Sequence, residues 1–212
     1  MLHLYTWNTP NGIKPIIMLE ECGLDYELHP IDISADEQKT DAFLTVNPNG
    51  RIPAMIDTDH EGTGTVGEVS GLRLFESGAI LLHLARLTNR FLPTEPQALA
   101  DAMSWIFWQI GGLGPMVGQA HWFKSNAPDN EEGLARYRKE SARLLGVMER
   151  GLSDRDYLAG DYGVADMMSW KWAEAALGAV DGDWPRLADW TRRVGERPAV
   201  ARAVAVAEGL KG

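Results

Sequence analysis

The rhythm of apolar positions changes once along this chain, close to residue 90. Before that point short apolar runs alternate with short helical repeats. Leu2 to Trp7 reads as a strand, and Asn8-Thr9-Pro10-Asn11-Gly12 as a turn cluster. A helix is expected from Ile13 to Cys22, with Pro15 tolerated in its first turn and Gly23 closing it. Residues 26–33 read as a second strand ending in Ile31 and Ile33. Ser34 and Glu37 stand at capping-box spacing, which predicts a short helix over 35–45. Asn47-Pro48-Asn49-Gly50 is a loop and Ala54 to Asp57 a short strand. Residues 58–71, with four glycines, read as an exposed hairpin loop, and 72–75 as the next strand. From Ser77 the apolar residues Ile80, Leu81, Leu84 and Leu87 return at helical spacing, with Ser77 as the cap. The predicted order is β-α-β-α-β-β-α within residues 1–87.

Residues 88–96 carry Pro93 and Pro96 and read as a linker. Beyond them strand signals all but vanish. Helices are expected over 97–125, 131–152, 164–178, 186–196 and 198–208, with Gly111 to Pro115 bending the first. Gly163-Val164-Ala165-Asp166 reads as an N-terminal box, with Asp166 at its third position capping the helix. The division is therefore an α/β domain over 1–87, a linker over 88–96 and an all-helical domain over 97–212.

Composition narrows the function classes. Of 212 residues, 45% are apolar, enough for a sizeable core. The net charge of −10 disfavours a nucleic-acid partner, and no apolar run is long enough to span a bilayer. A single cysteine, Cys22, excludes an internal disulfide framework, and Met1-Leu2-His3-Leu4 has no basic leader; together they suggest the cytoplasm. His3, His29, His60, His83 and His121 show no metal-ligand spacing, so no metal is expected.

Two segments offer chemistry. Asn49-Gly50-Arg51-Ile52-Pro53-Ala54 breaks at a proline and then enters a strand. Phe75-Glu76-Ser77-Gly78-Ala79-Ile80 leaves a strand and starts a helix. A helix start offers N–H donors to a carboxylate, and Glu76 can accept from an ammonium. A small peptide with both charges on one carbon would suit the pair. Read alone, Ser77 is equally an ordinary cap and Pro53 an ordinary loop proline.

With Thr9-Pro10-Asn11-Gly12 and Leu74-Phe75-Glu76-Ser77-Gly78-Ala79-Ile80-Leu81, these segments make the chain resemble the glutathione S-transferase superfamily. The resemblance implies a thioredoxin-like domain followed by helices. Thr9 to Gly12 and the stretch from Trp105 to Met116 further resemble the bacterial Nu-class and Ure2-like subgroup, whose members are glutathione-dependent disulfide-bond reductases with weak conjugating activity. One departure is visible, because the family's helix box begins with Ser or Thr and here begins with Gly163.

The resemblance implies roles residue by residue. Thr9 and Asn11 would stabilise the thiolate of bound glutathione. Pro53 would be cis, with the main chain of Ile52 pairing with the cysteinyl backbone. Glu76 and Ser77 would hold the γ-glutamyl group, and Gln38, Arg51 and Arg136 would lie near the glycyl carboxylate. Tyr5 is a competing thiol activator, since other classes use a tyrosine at the end of the first strand. Cys22 is not expected to be a nucleophile, because the reactive sulfur comes from glutathione. The implied activity is thiol–disulfide exchange, with glutathione as co-substrate, no metal and a homodimer. Conjugation of glutathione to small electrophiles and non-catalytic glutathione binding are the two alternatives.

Overall fold

The computed structural model describes residues 1–210 and divides into two compact units, Met1–Arg90 with the segment from Pro198, and Phe91–Arg197. Among the described residues no helix is long and apolar enough to cross a membrane.

The first unit is built on a five-stranded mixed sheet. Its strands are β1 (Leu2–Thr6), β2 (Tyr26–Pro30), β3 (Ala54–Asp57), β4 (Gly64–Val66) and β5 (Val69–Phe75), in the order β2-β1-β3-β5-β4. β1 runs parallel to β2 and antiparallel to β3, and β5 is antiparallel to both β3 and β4. The strand alternation buries both faces. Tyr5, Ala54 and Ile56 point to one side and form a core with Phe43 and Val46 of α2 (Asp41–Val46). α3 (Ser77–Thr88) packs on β3 and β5, and against α1 (Ile13–Cys22).

α1 has the predicted bounds, and Gly23 closes it in the left-handed conformation (φ 66°). Two differences from the sequence reading stand out. The helix expected over 35–45 is broken: two 3₁₀ turns, Ile33–Ala35 and Glu37–Lys39, precede α2. Asp36 sits between them at φ 56°, and Thr40 caps α2. Ser34 and Glu37 form no capping box. Instead Asp32 accepts from the Ser34 N–H, and Glu37 accepts from the Asp32 N–H.

The second difference is β4, which lies inside the segment read as a loop, with β5 starting at Val69. The glycines that suggested a loop allow main chains to touch. A Cβ on Gly71 would lie 2.4 Å from the Asp57 carbonyl oxygen, and one on Gly62 would lie 2.4 Å from Leu72 Cα.

The second unit is helical: α4 (Pro96–Trp108), α5 (Gly114–Asn126), α6 (Glu131–Gly151), α7 (Val164–Leu177) and α8 (Pro185–Gly195). Where a bend is expected near 111–115, Gln109–Leu113 winds as a π-helical segment between α4 and α5. Leu144, Leu145 and Met148 of α6, Met167, Met168 and Trp170 of α7 and Leu187 and Trp190 of α8 fill the core.

Asp166 is fully buried there and accepts from the N–H groups of Gly163 and Leu158 and from Trp190 Nε1. It is a junction of three segments and not a helix cap alone. The glycine at 163 also has a cause. A Cβ would lie 2.5 Å from the Phe91 carbonyl oxygen, which accepts the Val164 N–H.

The last helix, α9 (Pro198–Gly209), was expected to close the helical domain. It packs on α1 instead, burying Ala199, Val200, Ala203 and Ala207, and Arg202 pairs with Glu20 at 2.8 Å.

Candidate functional site

Register gathers the candidate residues of the first unit. Tyr5 in β1 pairs with Ala54 in β3, and Ala54 pairs with Phe75 in β5. The Thr9 loop leaves the C-terminal end of β1. Ile52-Pro53 enters the N-terminal end of β3, and Glu76-Ser77 leaves the C-terminal end of β5. All three therefore lie at one end of three adjacent strands. The segment carrying Gln38 leaves the same end of β2, which runs parallel to β1.

The Thr9 loop is tightly wound. Thr9 Oγ1 accepts from the Gly12 N–H at 3.0 Å, and the Gly12 carbonyl accepts from the buried Thr6 hydroxyl. Gly12 is obligatory, because a Cβ would lie 2.0 Å from the Trp7 carbonyl oxygen. A hydroxyl that accepts one N–H keeps its own hydrogen to donate.

Asn11 Oδ1 accepts from Lys14 Nζ at 2.9 Å. Lys14 is a residue the motif reading passed over. It is 1% exposed, in the first turn of α1. Burial lowers its pKa to about 7, against the opposing pull of the Glu76 carboxylate. Lys14 thus donates to the loop after β1 and feels the charge of the residue after β5. Its sequence signal is a lone charge inside Ile13-Lys14-Pro15-Ile16-Ile17-Met18-Leu19, a run buried throughout.

The Ile52–Pro53 peptide is cis. Neither main-chain group of Ile52 has a partner among the described residues. Asn47 organises the approach: its Nδ2 donates to the Arg51 carbonyl, its Oδ1 accepts the Asn49 N–H, and Gly50 turns at φ 59°. Lys39 donates to the Gly50 carbonyl. Arg51 is exposed.

At the start of α3 the capping position belongs to Glu76, not Ser77, and no side chain caps the helix. Glu76 stands at φ 71° and ψ 120°, a backbone region that costs a non-glycine residue about 1–3 kcal/mol. Ser77 is buried as the first helical residue. The N–H donors of this turn remain available to an anion.

Gln38 has a buried Oε1 with no partner, while its Nε2 faces Asp36 Oδ1 at 3.3 Å. Arg136 lies in the second unit on an exposed part of α6. Tyr5 is 4% exposed within the sheet and stacks on His29; burial, then Glu27, raise its pKa, so its hydroxyl is a weak acid. Burial also pushes the Cys22 thiol up, which suits an inert cysteine.

Residues 1–86 match the glutathione S-transferase N-terminal domain model. The Disulfide-bond oxidoreductase YfcG of Escherichia coli K12 is 39% identical over 98% of this chain and 96% of its own length. The chain belongs to the glutathione S-transferase family. YghU, a second disulfide-bond oxidoreductase of Escherichia coli K12, is 36% identical, with 95% of this chain and 73% of YghU aligned. Among solved structures, a glutathione transferase from Pseudomonas putida, with one glutathione disulfide per subunit, superposes with a TM-score of 0.88. It is 34% identical, over 97% of this chain and 91% of that one. A Pseudomonas fluorescens family member with two glutathione bound gives a TM-score of 0.87 at 36% identity, over 96% of this chain and 92% of that one.

Proposed function

We propose that this member of the glutathione S-transferase family is a glutathione-dependent disulfide-bond oxidoreductase. The observation that carries the reading is the meeting, at one end of the sheet, of a hydroxyl donor, an unpaired main-chain edge and an uncapped helix start. YfcG and YghU, similar along most of this chain, lend the reaction class. The transferases with bound glutathione and glutathione disulfide lend the ligand.

In this reading Glu76 accepts from the γ-glutamyl ammonium, and Ser77 with the first N–H groups of α3 takes its carboxylate. The N–H and C=O of Ile52 pair with the cysteinyl main chain as an added strand. Thr9 donates to the sulfur. Asn11 is oriented by Lys14, whose Nζ donates to its amide oxygen. Lowering a thiol pKa by one unit takes about 1.4 kcal/mol of preference for the thiolate, within reach of one charge-assisted hydrogen bond. Gln38 and Arg51 serve the glycyl end.

The glutathione thiolate attacks one sulfur of a small disulfide. The S–S bond breaks, a mixed disulfide forms and one thiolate leaves. A second glutathione thiolate attacks the glutathione sulfur of that mixed disulfide, releasing the other substrate thiol and glutathione disulfide. Two thiols are oxidised and one disulfide is reduced. The protein works as a cytoplasmic homodimer, without a metal in this reaction.

Parallel assays test the proposal. Glutathione should reduce 2-hydroxyethyl disulfide readily and conjugate a chloronitrobenzene slowly. Rapid conjugation with negligible disulfide reduction would reassign the chain to the conjugating transferases. Calorimetry silent to both reduced and oxidised glutathione would remove the reading altogether.

A further inference from the structure

Sequence spacing conceals a second polar cluster, built on β1 and β2. In the parallel register of β1 and β2, His3 pairs with Glu27 and Tyr5 with His29. Side chains alternate along a strand, so His3, Tyr5, Glu27 and His29 share one face. β2 is an edge strand of the sheet. There His3 Nδ1 lies 3.1 Å from His29 Nε2. Glu27 faces both imidazoles, with Oε2 at 3.5 Å from His3 Nδ1 and Oε1 at 3.6 Å from His29 Nε2.

We infer that His3, Glu27 and His29 form a binding site for a divalent transition metal, Zn²⁺ by its ligand chemistry. Two ligand atoms on one tetrahedral zinc, each about 2.0–2.1 Å from the metal, stand about 3.3 Å apart. The two imidazole nitrogens stand 3.1 Å apart, close to that separation, and Glu27 presents one oxygen to each of them at 3.5 and 3.6 Å. Two imidazoles and one carboxylate match a borderline cation, and three protein ligands leave a position for water. The three side chains grade from 11% exposed at His3 through 26% at His29 to 60% at Glu27, which gives the ion an entry path and an outward face. Tyr5 stacks on His29 with ring centroids 4.5 Å apart and holds that imidazole from behind. Bound metal would tie the edge strand to its neighbour by side chains as well as by the main-chain ladder. The inference is independent of the proposed disulfide chemistry.

A neighbouring cluster makes the contrast. Asp57 Oδ2 receives both His60 Nδ1 at 2.9 Å and His83 Nε2 at 2.8 Å. Both imidazoles bond to one shared oxygen of a buried carboxylate, closer than two ligand atoms of a single zinc would stand.

The test uses untagged, chelator-stripped protein without glutathione. Zn²⁺ is titrated by calorimetry and Co²⁺ by its visible spectrum. One equivalent of each should bind, the cobalt bands should lack thiolate charge transfer, and Zn²⁺ should raise the melting temperature. His29→Ala should weaken binding by at least about a hundredfold, since even outer-shell partners of a metal cost ten- to a hundredfold. Glu27→Gln, at an exposed position where folding is not at stake, should weaken it too. His60→Ala should leave it unchanged. Absence of binding to the unmodified chain would overturn the assignment and leave the two histidines as a hydrogen-bonded pair. So would binding that survives His29→Ala and Glu27→Gln, or binding that is lost instead in His60→Ala.

Discussion

Thr9 and Ser77 both carry hydroxyls at the same end of the sheet, yet they should fail differently. In the proposed site Thr9 meets the sulfur, whose charge is greatest once the thiol ionises. Thr9→Ala therefore should lower turnover about ten- to a hundredfold, the worth of one hydrogen bond to a charged group, with little change in glutathione affinity. Ser77 meets a carboxylate that is charged in every state of the reaction. Ser77→Ala should weaken glutathione binding by about tenfold and leave turnover at saturation nearly intact. Calorimetry and steady-state kinetics on the two variants separate the roles, and the reverse pattern would show them exchanged. Glu76 was legible as a chemical candidate from its place before a helix. Its φ of 71° was not, because local sequence gives no reason for a glutamate to adopt it. Lys14 was missed because its meaning comes from burial and from Asn11, and both depend on how α1 meets the sheet.

At the scale of elements, what the sequence showed well was whatever a local rule decides. Gly23 ends α1 because an L residue at φ 66° is strained, and that preference is visible in one dimension. β4 was invisible because its glycines signal close approach between chains as well as loops. The two kinds of glycine should respond differently to substitution. Gly71→Ala should destabilise the chain by about 1–3 kcal/mol, because the new Cβ meets the rigid Asp57 main chain. Gly67→Ala, at φ 57° with nothing within 4 Å, should cost only the about 1–2 kcal/mol of the left-handed conformation. Denaturant unfolding of both variants decides this. The box at 163–166 shows the same limit. Its capping role was readable, but the Leu158 and Trp190 donors that converge on Asp166 come from elsewhere in the fold. Asp166→Ala should then cost about 3 kcal/mol or more, against about 1 for a simple cap, since three buried donors lose their acceptor. A loss near 1 kcal/mol in the same unfolding experiment would mean that water satisfies them.

For the whole molecule, one buried charge in each unit shapes the dependence of stability on pH. Lys14 titrates near 7 in the folded chain and near 10.4 when unfolded. Between those values the unfolded chain holds the extra proton, so Lys14 makes stability rise with pH from about 7 upward. Asp166 is raised by burial to about 6, despite its three donors, and titrates near 3.9 when unfolded. Between about 4 and 6 the folded chain holds the extra proton, so this carboxyl makes stability fall as pH rises. Each slope reaches at most about 1.4 kcal/mol per pH unit. Burial works to raise the Asp57 carboxyl as well. Hydrogen bonds from His83, the Asp59 N–H and His60 outweigh it, so its pKa is lowered and its contribution is lost only at acid pH. The combined contribution of Lys14 and Asp166 is least favourable between about 6 and 7, where both buried groups carry charge. Equilibrium unfolding from pH 5 to 9 should show that dip. Lys14→Met should flatten the limb above 7, and Asp166→Asn the limb below 6. If Lys14→Met leaves the upper limb unchanged, the lysine is not held near neutrality by burial, and its orienting bond to Asn11 is then made by a permanently charged ammonium.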